Sequence, residues 1–301
     1  MKRSTVAWIV AAVALAFLVL IVCATALVFA PRAGTPPLAL GGRVGVVDLE
    51  GIILSADRFR DMLKRFHDAS NIRAVVVRIN SPGGGVAASQ ELNSELRRFR
   101  RETGKPVVVS MESVAASGGY YAAVSSDWIV ANPGTITGSI GVIMQWMNYG
   151  DLLDWAKVRT VTLKSGALKD AGNPTRPLTD EERKYFEDLI FKLREQFQTA
   201  VAQGRKGRLK PDALERMADG RVVTGEEALA LGLVDEIGDF RDAVDRAARL
   251  AHLSVPAEIW HPRPIRPGLI DLLTGTSEST WTGRLLSGAP VGGGWNVFFL
   301  W

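Results

Sequence analysis

Short apolar runs rich in β-branched residues, each followed by a stretch with helical spacing, recur along this chain and leave few folds open to it. Ala74-Val-Val-Val-Arg-Ile-Asn80 and Pro106-Val-Val-Val-Ser-Met111 are apolar at successive positions. An alternating strand covers one face of a core, whereas a nearly unbroken apolar run belongs between two layers. Strand-like runs at Val44–Leu54, Ala74–Asn80, Val107–Met111, Trp128–Ala131, Val142–Met147 and Thr160–Leu163 are interleaved with helical patterns ending near Asp68 and Arg101, and with a small-residue helix after Ser117. That order predicts an α/β fold with buried strands. Thr179-Asp-Glu-Glu182 reads as the capping box of a long helix whose apolar positions run from Tyr185 to Val201. Further helices are expected at Pro211–Ala218, Glu226–Leu231 and Phe240–His252, and there is no internal repeat.

The two ends differ from this body. Residues 4–30 carry no charge. About 20 apolar residues cross a bilayer, whereas a cleavable signal has an apolar region of only about 7–15, so a retained single transmembrane anchor is expected over residues 1–30. Cleavage after Ala24-Thr-Ala26 is the competing reading. Lys2-Arg3 favours a cytoplasmic amino end, which places everything from residue 31 on the extracytoplasmic side. A Pro/Gly/Ala linker (31–42) leads to the main domain (43–254). The tail (255–301) is Pro-, Gly- and Ser-rich and closes on Trp295-Asn-Val-Phe-Phe-Leu-Trp301. An apolar stretch of that length is expected to pack into a groove of its own or a neighbouring subunit, with membrane docking as the other option. The one cysteine, Cys23, lies in the anchor, so no intrachain disulfide can form and core packing alone must stabilise the domain.

Net charge is +4 with signs interspersed, and the short basic clusters Arg97–Arg101 and Arg205–Arg208 lack aromatic interleaving, so nucleic acid is not an expected partner. Ser81-Pro-Gly-Gly-Gly85 ends a strand pattern and opens a helix, but it lacks the Lys-Ser/Thr ending of a phosphate loop and any Gly-x-Gly-x-x-Gly spacing. Neither a nucleotide cofactor nor a metal is implied.

Ser117 lies in Ser113-Val-Ala-Ala-Ser-Gly-Gly-Tyr-Tyr-Ala122, between a strand-like run and a helix. Such a corner presents a hydroxyl at the mouth of a sheet, and its glycines let another backbone approach. A plain turn uses the same residues. A serine nucleophile needs an adjacent base. The three histidines, His67, His252 and His261, sit in a charged helical stretch, near a helix end and in the Pro-rich tail, none beside a glycine turn. Lysine is the remaining candidate, and Lys164-Ser-Gly-Ala-Leu-Lys-Asp170 supplies two.

Here the sequence resembles the signal peptide peptidase A family, serine proteases of the S49 type with a Ser-Lys dyad. The matching segments are Ile79-Asn-Ser-Pro-Gly-Gly-Gly85, Val114–Tyr121, Asn132-Pro-Gly-Thr-Ile-Thr-Gly-Ser-Ile-Gly-Val142, Lys164–Asp170 and Asp219-Gly-Arg-Val-Val-Thr-Gly225, in the family's order. The resemblance implies Ser117 as nucleophile, Lys169 as general base, Gly84 as an oxyanion-hole amide and Ser139 as the hydroxyl that orients the lysine. The Gly118 amide is expected to join Gly84 in binding the oxyanion. A lysine base must be neutral, yet a free lysine titrates at about 10.4, so the site of Lys169 is expected to be buried among Ala, Leu and Gly. Lys164 reads as structural or surface.

By resemblance, the fold is the βαβ superhelix shared with the Clp protease subunit and the crotonases, in the family's short single-copy form. The implied activity is that of a membrane-anchored serine endopeptidase degrading cleaved signal peptides and other extended apolar peptides. Its implied assembly is a ring-shaped homo-oligomer whose neighbouring protomers supply the two halves of each dyad. A crotonase-like acyl-CoA enzyme and an inactive membrane scaffold are the alternatives. Against the first stand Ser117, Lys169 and the export anchor, since CoA esters are cytoplasmic.

Overall fold

The computed structural model describes residues 42–217, 219–261 and 297–299. Its strands are β1 (Arg43–Glu50), β2 (Ile72–Ser81), β3 (Gly84–Gly85), β4 (Val107–Ala116), β5 (Trp128–Ala131), β6 (Ile136–Gly138), β7 (Ile143–Met144), β8 (Val222–Thr224), β9 (Glu236–Ile237), β10 (Ile259–Trp260) and β11 (Val297–Phe299). Its helices are α1 (Asp57–Asp68), α2 (Val86–Thr103), α3 (Gly118–Ala123), α4 (Gly150–Trp155), α5 (Asp180–Gly204), α6 (Ala213–Arg216), α7 (Gly225–Leu231) and α8 (Phe240–Leu250), with a 3-10 turn at Ala167–Asp170. The segment 4–30, expected to be an anchor, lies outside the described residues. Among the described residues no helix is long and apolar enough to cross a membrane.

The main sheet runs β10-β1-β2-β4-β5-β9, every pair parallel. Parallel neighbours need a crossover, and α1, α2 and α3 supply those between β1, β2, β4 and β5. Both faces are covered, which is why the strand runs are apolar throughout. On one face Val44, Val46, Ala74, Val76, Val108 and Val130 pack with Ala243, Val244, Ala247 and Ala248 of α8. On the other, Val47, Leu49, Val75, Val77, Ile79, Val107 and Val109 join Phe59, Phe66, Leu92, Leu96, Phe99, Phe197 and Val201 in the larger core. The α/β arrangement with buried strands is thus observed, and the sheet is predominantly parallel.

β4 continues five residues past Met111, and its far half leaves β5 to pair with β6, which in turn pairs antiparallel with β8. A separate three-stranded sheet has the order β3-β11-β7.

Three expected elements differ. The run Thr160–Leu163 forms no strand; Val161 and Leu163 are 88% and 95% exposed. β-branched residues favour a strand only where a ladder and a packing face exist, and the chain places no strand beside this run. The expected strand Val142–Met147 contracts to β7, and the helix over Pro211–Ala218 to the single turn α6. Asp212, before α6, adopts a left-handed backbone and caps nothing, so that turn has no side-chain start.

Two polar devices lock the helices to the sheet. Lys105 donates to the carbonyls of Phe66 (2.5 Å) and Ala69 (2.9 Å) at the end of α1. Its ammonium is pushed below the ordinary range by burial, with Arg73 adding to the effect. Arg205, fully buried at the end of α5, donates through both terminal nitrogens to Asp235 at 2.8 Å and through Nε to the Gly232 carbonyl at 3.1 Å. Asp235 also accepts from the Ile129 amide at 2.8 Å, so this pair ties α5 to the parallel sheet.

Arg205→Met is expected to destabilise the domain by about 1.5–3 kcal/mol, because it removes two charge-assisted hydrogen bonds from the buried Asp235 carboxylate and leaves it to Arg208 at 3.2 Å and the Ile129 amide. Adding Asp235→Leu should recover much of that loss. Chemical denaturation of the three proteins checks this, and equal stability of Arg205→Met and the unsubstituted protein would contradict it.

Candidate active site

Two corners at the ends of β2 and β4 meet in space. The first is Ser81-Pro-Gly-Gly-Gly85. Ser81 is buried; its hydroxyl donates to the Gly51 carbonyl at 2.6 Å and accepts from the Gly83 amide at 3.1 Å, fixing the turn. Beyond it, Ile53 donates to the Gly83 carbonyl (2.9 Å) and accepts from the Gly85 amide (2.8 Å). A Cβ at Gly84 would lie 2.1 Å from the Ile53 oxygen, so only glycine fits this bridge. Because peptide groups alternate along a strand, the amide and carbonyl of Gly84 itself face away from Ile53.

The second corner is Ser117. β4 ends on the register pair Ala116–Gly138, and Ser117 then turns sharply with φ 51° and ψ −115°. A non-glycine residue there costs on the order of 1–3 kcal/mol and persists only where its surroundings dictate it. Here its amide donates to the Gly138 carbonyl at 2.9 Å, and its own carbonyl accepts from Tyr121 at 2.8 Å, the first turn of α3. The Ser117 side chain is buried, and its Oγ has no hydrogen-bond partner among the described residues. A buried hydroxyl without a partner sacrifices roughly 1–3 kcal/mol of solvation, which a purely structural serine does not require.

The corners touch through their glycines. A Cβ on Gly118 would sit 3.1 Å from the Gly84 nitrogen and 2.3 Å from Ser89 Oγ. Ser89, buried on α2, donates to the Gly85 carbonyl at 3.0 Å and so braces the Gly84–Gly85 segment from behind. Gly119 presses on the Ser81 carbonyl, which a Cβ would approach to 3.0 Å. The structure therefore brings Ser117, Gly118 and Gly84 together. Ser139 is also close in the fold, one residue past Gly138; it is buried, left-handed at φ 51°, and held by its amide on the Arg221 carbonyl at 2.8 Å.

Lys169 stands apart. It lies on the 3-10 turn Ala167–Asp170, exposed, with no hydrogen bond to Ser117. The burial expected around it is not found among the described residues: residues 155–169 are exposed throughout, Trp155 to 80%. What fixes the turn is a clamp that sequence reasoning did not identify. Lys164 donates to Asp170 (2.6 Å) and to the Ala167 carbonyl (3.0 Å), and Arg176 bridges Asp170 (3.0 Å) to Glu182 (2.6 Å), the capping residue of α5. Lys164 is thus structural. Hydrogen bonds from Lys164 and then Arg176 hold the Asp170 carboxyl at about 2, and those from Arg176 hold Glu182 at about 2.

Ile53 and Gly138 act through backbone groups, and Ser81 and Ser89 through hydroxyls bonded to backbone, roles that no spacing rule reveals. The expected docking of the tail in a groove also has a counterpart: β11 pairs antiparallel with β3 at Gly84–Gly85 and with β7. A depression of about 760 Å³, lined by Arg78, Glu112, Ile136 and Phe240 among others, includes none of these site residues.

Both clamp carboxylates titrate below their ordinary values of 3.8 and 4.5, so their contribution is fully present above about pH 4.5 and is lost as pH falls towards 2. Protection of the amides in residues 166–176, measured relative to an unstructured chain at the same pH, should fall over that window. Arg176→Gln should remove much of the protection already at pH 6, and identical exchange profiles for both proteins would contradict the clamp.

Comparison with known proteins finds relatives that are named as proteases. An Enterococcus faecium protein bearing the name signal peptide peptidase SppA is 38% identical over 187 residues, 62% of this chain and 54% of that protein. Protease 4 of Salmonella typhi is 38% identical over 234 residues, 75% of this chain and 37% of its own length. A Synechocystis protein named as a protease is 39% identical over 213 residues, 70% of this chain and 75% of that one. The chain thus spans little more than half of the first and well under half of the second. Residues 99–254 match the model of peptidase family S49, a stretch that carries Ser117, Gly118, Ser139 and Lys169, and this chain belongs to that family.

Proposed function

We propose that the protein is a membrane-anchored serine endopeptidase working through a Ser117–Lys169 dyad, acting on cleaved signal peptides and other extended apolar peptides on the extracytoplasmic side. The observation that carries the reading is the buried, unpartnered Ser117 hydroxyl on a strained strand-to-helix corner, beside the Gly84 and Gly118 amides. A structural serine needs neither the strain nor the missing hydrogen bond. Ser117 Oγ attacks the peptide carbonyl carbon while Lys169 Nζ takes its proton. The oxyanion accepts from the Gly84 and Gly118 amides, an interaction whose loss typically costs about 100-fold or more in rate. Lys169 returns the proton to the leaving amine, and water then releases the acyl group from Ser117. Ser139 orients the amine. The fold reading that accompanies this is the βαβ superhelix of the Clp protease and crotonase type.

The exposed position of Lys169 favours a site completed between protomers. Met147, Leu152, Trp155, Val161 and Leu163 are all exposed on the segment leading to it. Large apolar groups so placed are expected at a subunit contact. A ring of protomers would cover them, desolvate Lys169 and bring it to a neighbour's Ser117. Its closed interior would admit extended peptides and exclude folded proteins.

Ser117→Ala and Lys169→Ala should each abolish hydrolysis of an apolar peptide while leaving the fold intact. Lys169→Arg should also be inactive because arginine does not become a neutral base. Mixing the Ser117→Ala and Lys169→Ala proteins under subunit exchange should restore activity at hybrid contacts. Mixed oligomers that form and stay inactive would place both residues in one chain's site, and an active Lys169→Arg protein would remove Lys169 as the base.

A further inference from the structure

The strands β10-β1-β2-β4-β5-β9 are parallel throughout, so all begin at one edge of the sheet, and the helices that cross back over it end there. Side chains tie that edge together from several directions. Lys105, just before β4, reaches the end of α1, and Arg100, in the last turn of α2, holds Asp127 and the Ser125 carbonyl ahead of β5. Arg208, after α5, donates to the Asp127 carbonyl at 3.0 Å. Gly42, where the chain enters β1, lies against Arg73 and Leu253, each of which an added Cβ would approach to 2.6 Å.

Charge is divided unevenly between this entry edge and the edge that carries the site corners. Towards the site, Arg60 is engaged by Asp57, Glu91 and Glu95, and Arg78 by Glu112. At the entry edge the carboxylates are already taken: Asp127 by Arg100, Asp235 by Arg205 and Arg208, Glu236 by Arg246, and Glu258 by Arg43. Beyond these pairs stand Arg65, Arg73, Arg101, Lys206 and Arg249, all exposed and in no ion pair among the described residues, with Asp68 and Glu102 as the acidic residues beside them. The Lys105 ammonium, lowered chiefly by burial, is lowered further by Arg73, as cations crowding one another require. Leu250 and Val255 lie exposed in and just after the last turn of α8.

We infer that this edge docks on an anionic lipid surface, so that the folded domain holds the bilayer in addition to its anchor. Two observations choose a lipid surface over another anionic partner. The chain enters the domain at this edge, and the residues 31–42 that separate it from the segment read as the anchor reach at most about 40 Å when fully extended. The free cations are also spread over the ends of α1, α2, α5 and α8, which suits a plane of headgroups better than a single phosphate. Each cation brought within a Debye length of such a surface contributes roughly fivefold to partitioning. The inference rests on the membrane-anchored part of the proposal above and not on the dyad. It sets the Ser81 and Ser117 corners at the far ends of β2 and β4, about 30 Å further from the headgroups, the rise of a ten-residue strand. A peptide is then cut after it has left the bilayer.

The full chain tests this with Cys23→Ser and a donor dye on Ser70→Cys, in the turn between α1 and β2. It is placed in bilayers carrying a headgroup-labelled acceptor lipid, made of phosphatidylcholine alone or of phosphatidylcholine with phosphatidylglycerol. Energy transfer from residue 70 should rise about twofold or more with the anionic lipid and fall back at about 1 M salt, where the Debye length is about 3 Å. A dye on Glu50→Cys instead, at the far end of β1, should transfer less in both bilayers. Arg65→Gln, Arg73→Gln and Arg101→Gln together should abolish the rise at residue 70 while leaving the thermal unfolding midpoint unchanged. Equal transfer in the two bilayers, in a chain that alkaline carbonate does not extract, overturns the docking inference and leaves the anchor standing; so does a rise that the triple variant keeps. Extraction of the chain from both bilayers overturns the anchor and this inference with it. Hydrolysis enters neither readout, so a failure of the peptidase reading shows separately.

Discussion

The parallel ladder between β2 and β4 determines where both site corners stand. Its last pair, Ser81–Ala115, follows an irregularity after Ile79, and from there the two strands deliver the Ser81–Gly85 turn and Ser117 side by side. Parallel strands end their loops on the same edge of a sheet, so residues 84 and 117, distant in sequence, need no further device to meet. Everything else refines that placement. Gly138 holds the Ser117 amide, Ile53 turns Gly84 outward, and Ser89 braces Gly85. Backbone of a neighbouring segment stands where a side chain at 84 or 119 would go, and the Ser89 hydroxyl stands where one at 118 would go.

The polar locks divide the work. Arg205 and Asp235 are buried and join α5 to the sheet; removal of Asp235 strands the Arg205 charge, whereas removal of Arg205 leaves the carboxylate to the more exposed Arg208. The Lys164–Asp170–Arg176–Glu182 cluster is more exposed, and its value lies in geometry: it fixes a turn that has no core of its own. That turn presents Lys169 outward, alongside the exposed apolar side chains of Trp155, Val161 and Leu163.

Much of this was legible beforehand. The apolar runs at residues 74–80 and 107–111 announced buried strands, and the Thr179–Glu182 capping box marked the start of α5 to within a residue. Ser117 at a strand-to-helix corner could be read from its flanks. Thr160–Leu163 could not, because its β-branched composition is that of a strand while its environment in the single chain is solvent. Nor could the exposure of Lys169, since small and apolar neighbours in the sequence do not say whether the fold covers a turn. The expectation that the tail enters a groove came from its apolar composition; its register against Gly84 depends on which peptide groups Ile53 and Ser89 have already engaged.

The central claim is that Ser117 is a nucleophile poised beside two backbone amides. Treating the purified protein with a fluorophosphonate and mapping the modified residue by mass spectrometry tests it without knowledge of any substrate. A single adduct on Ser117, absent from Ser117→Ala, is the predicted result. No adduct on the assembled protein, or an adduct on another serine that persists in Ser117→Ala, would contradict it.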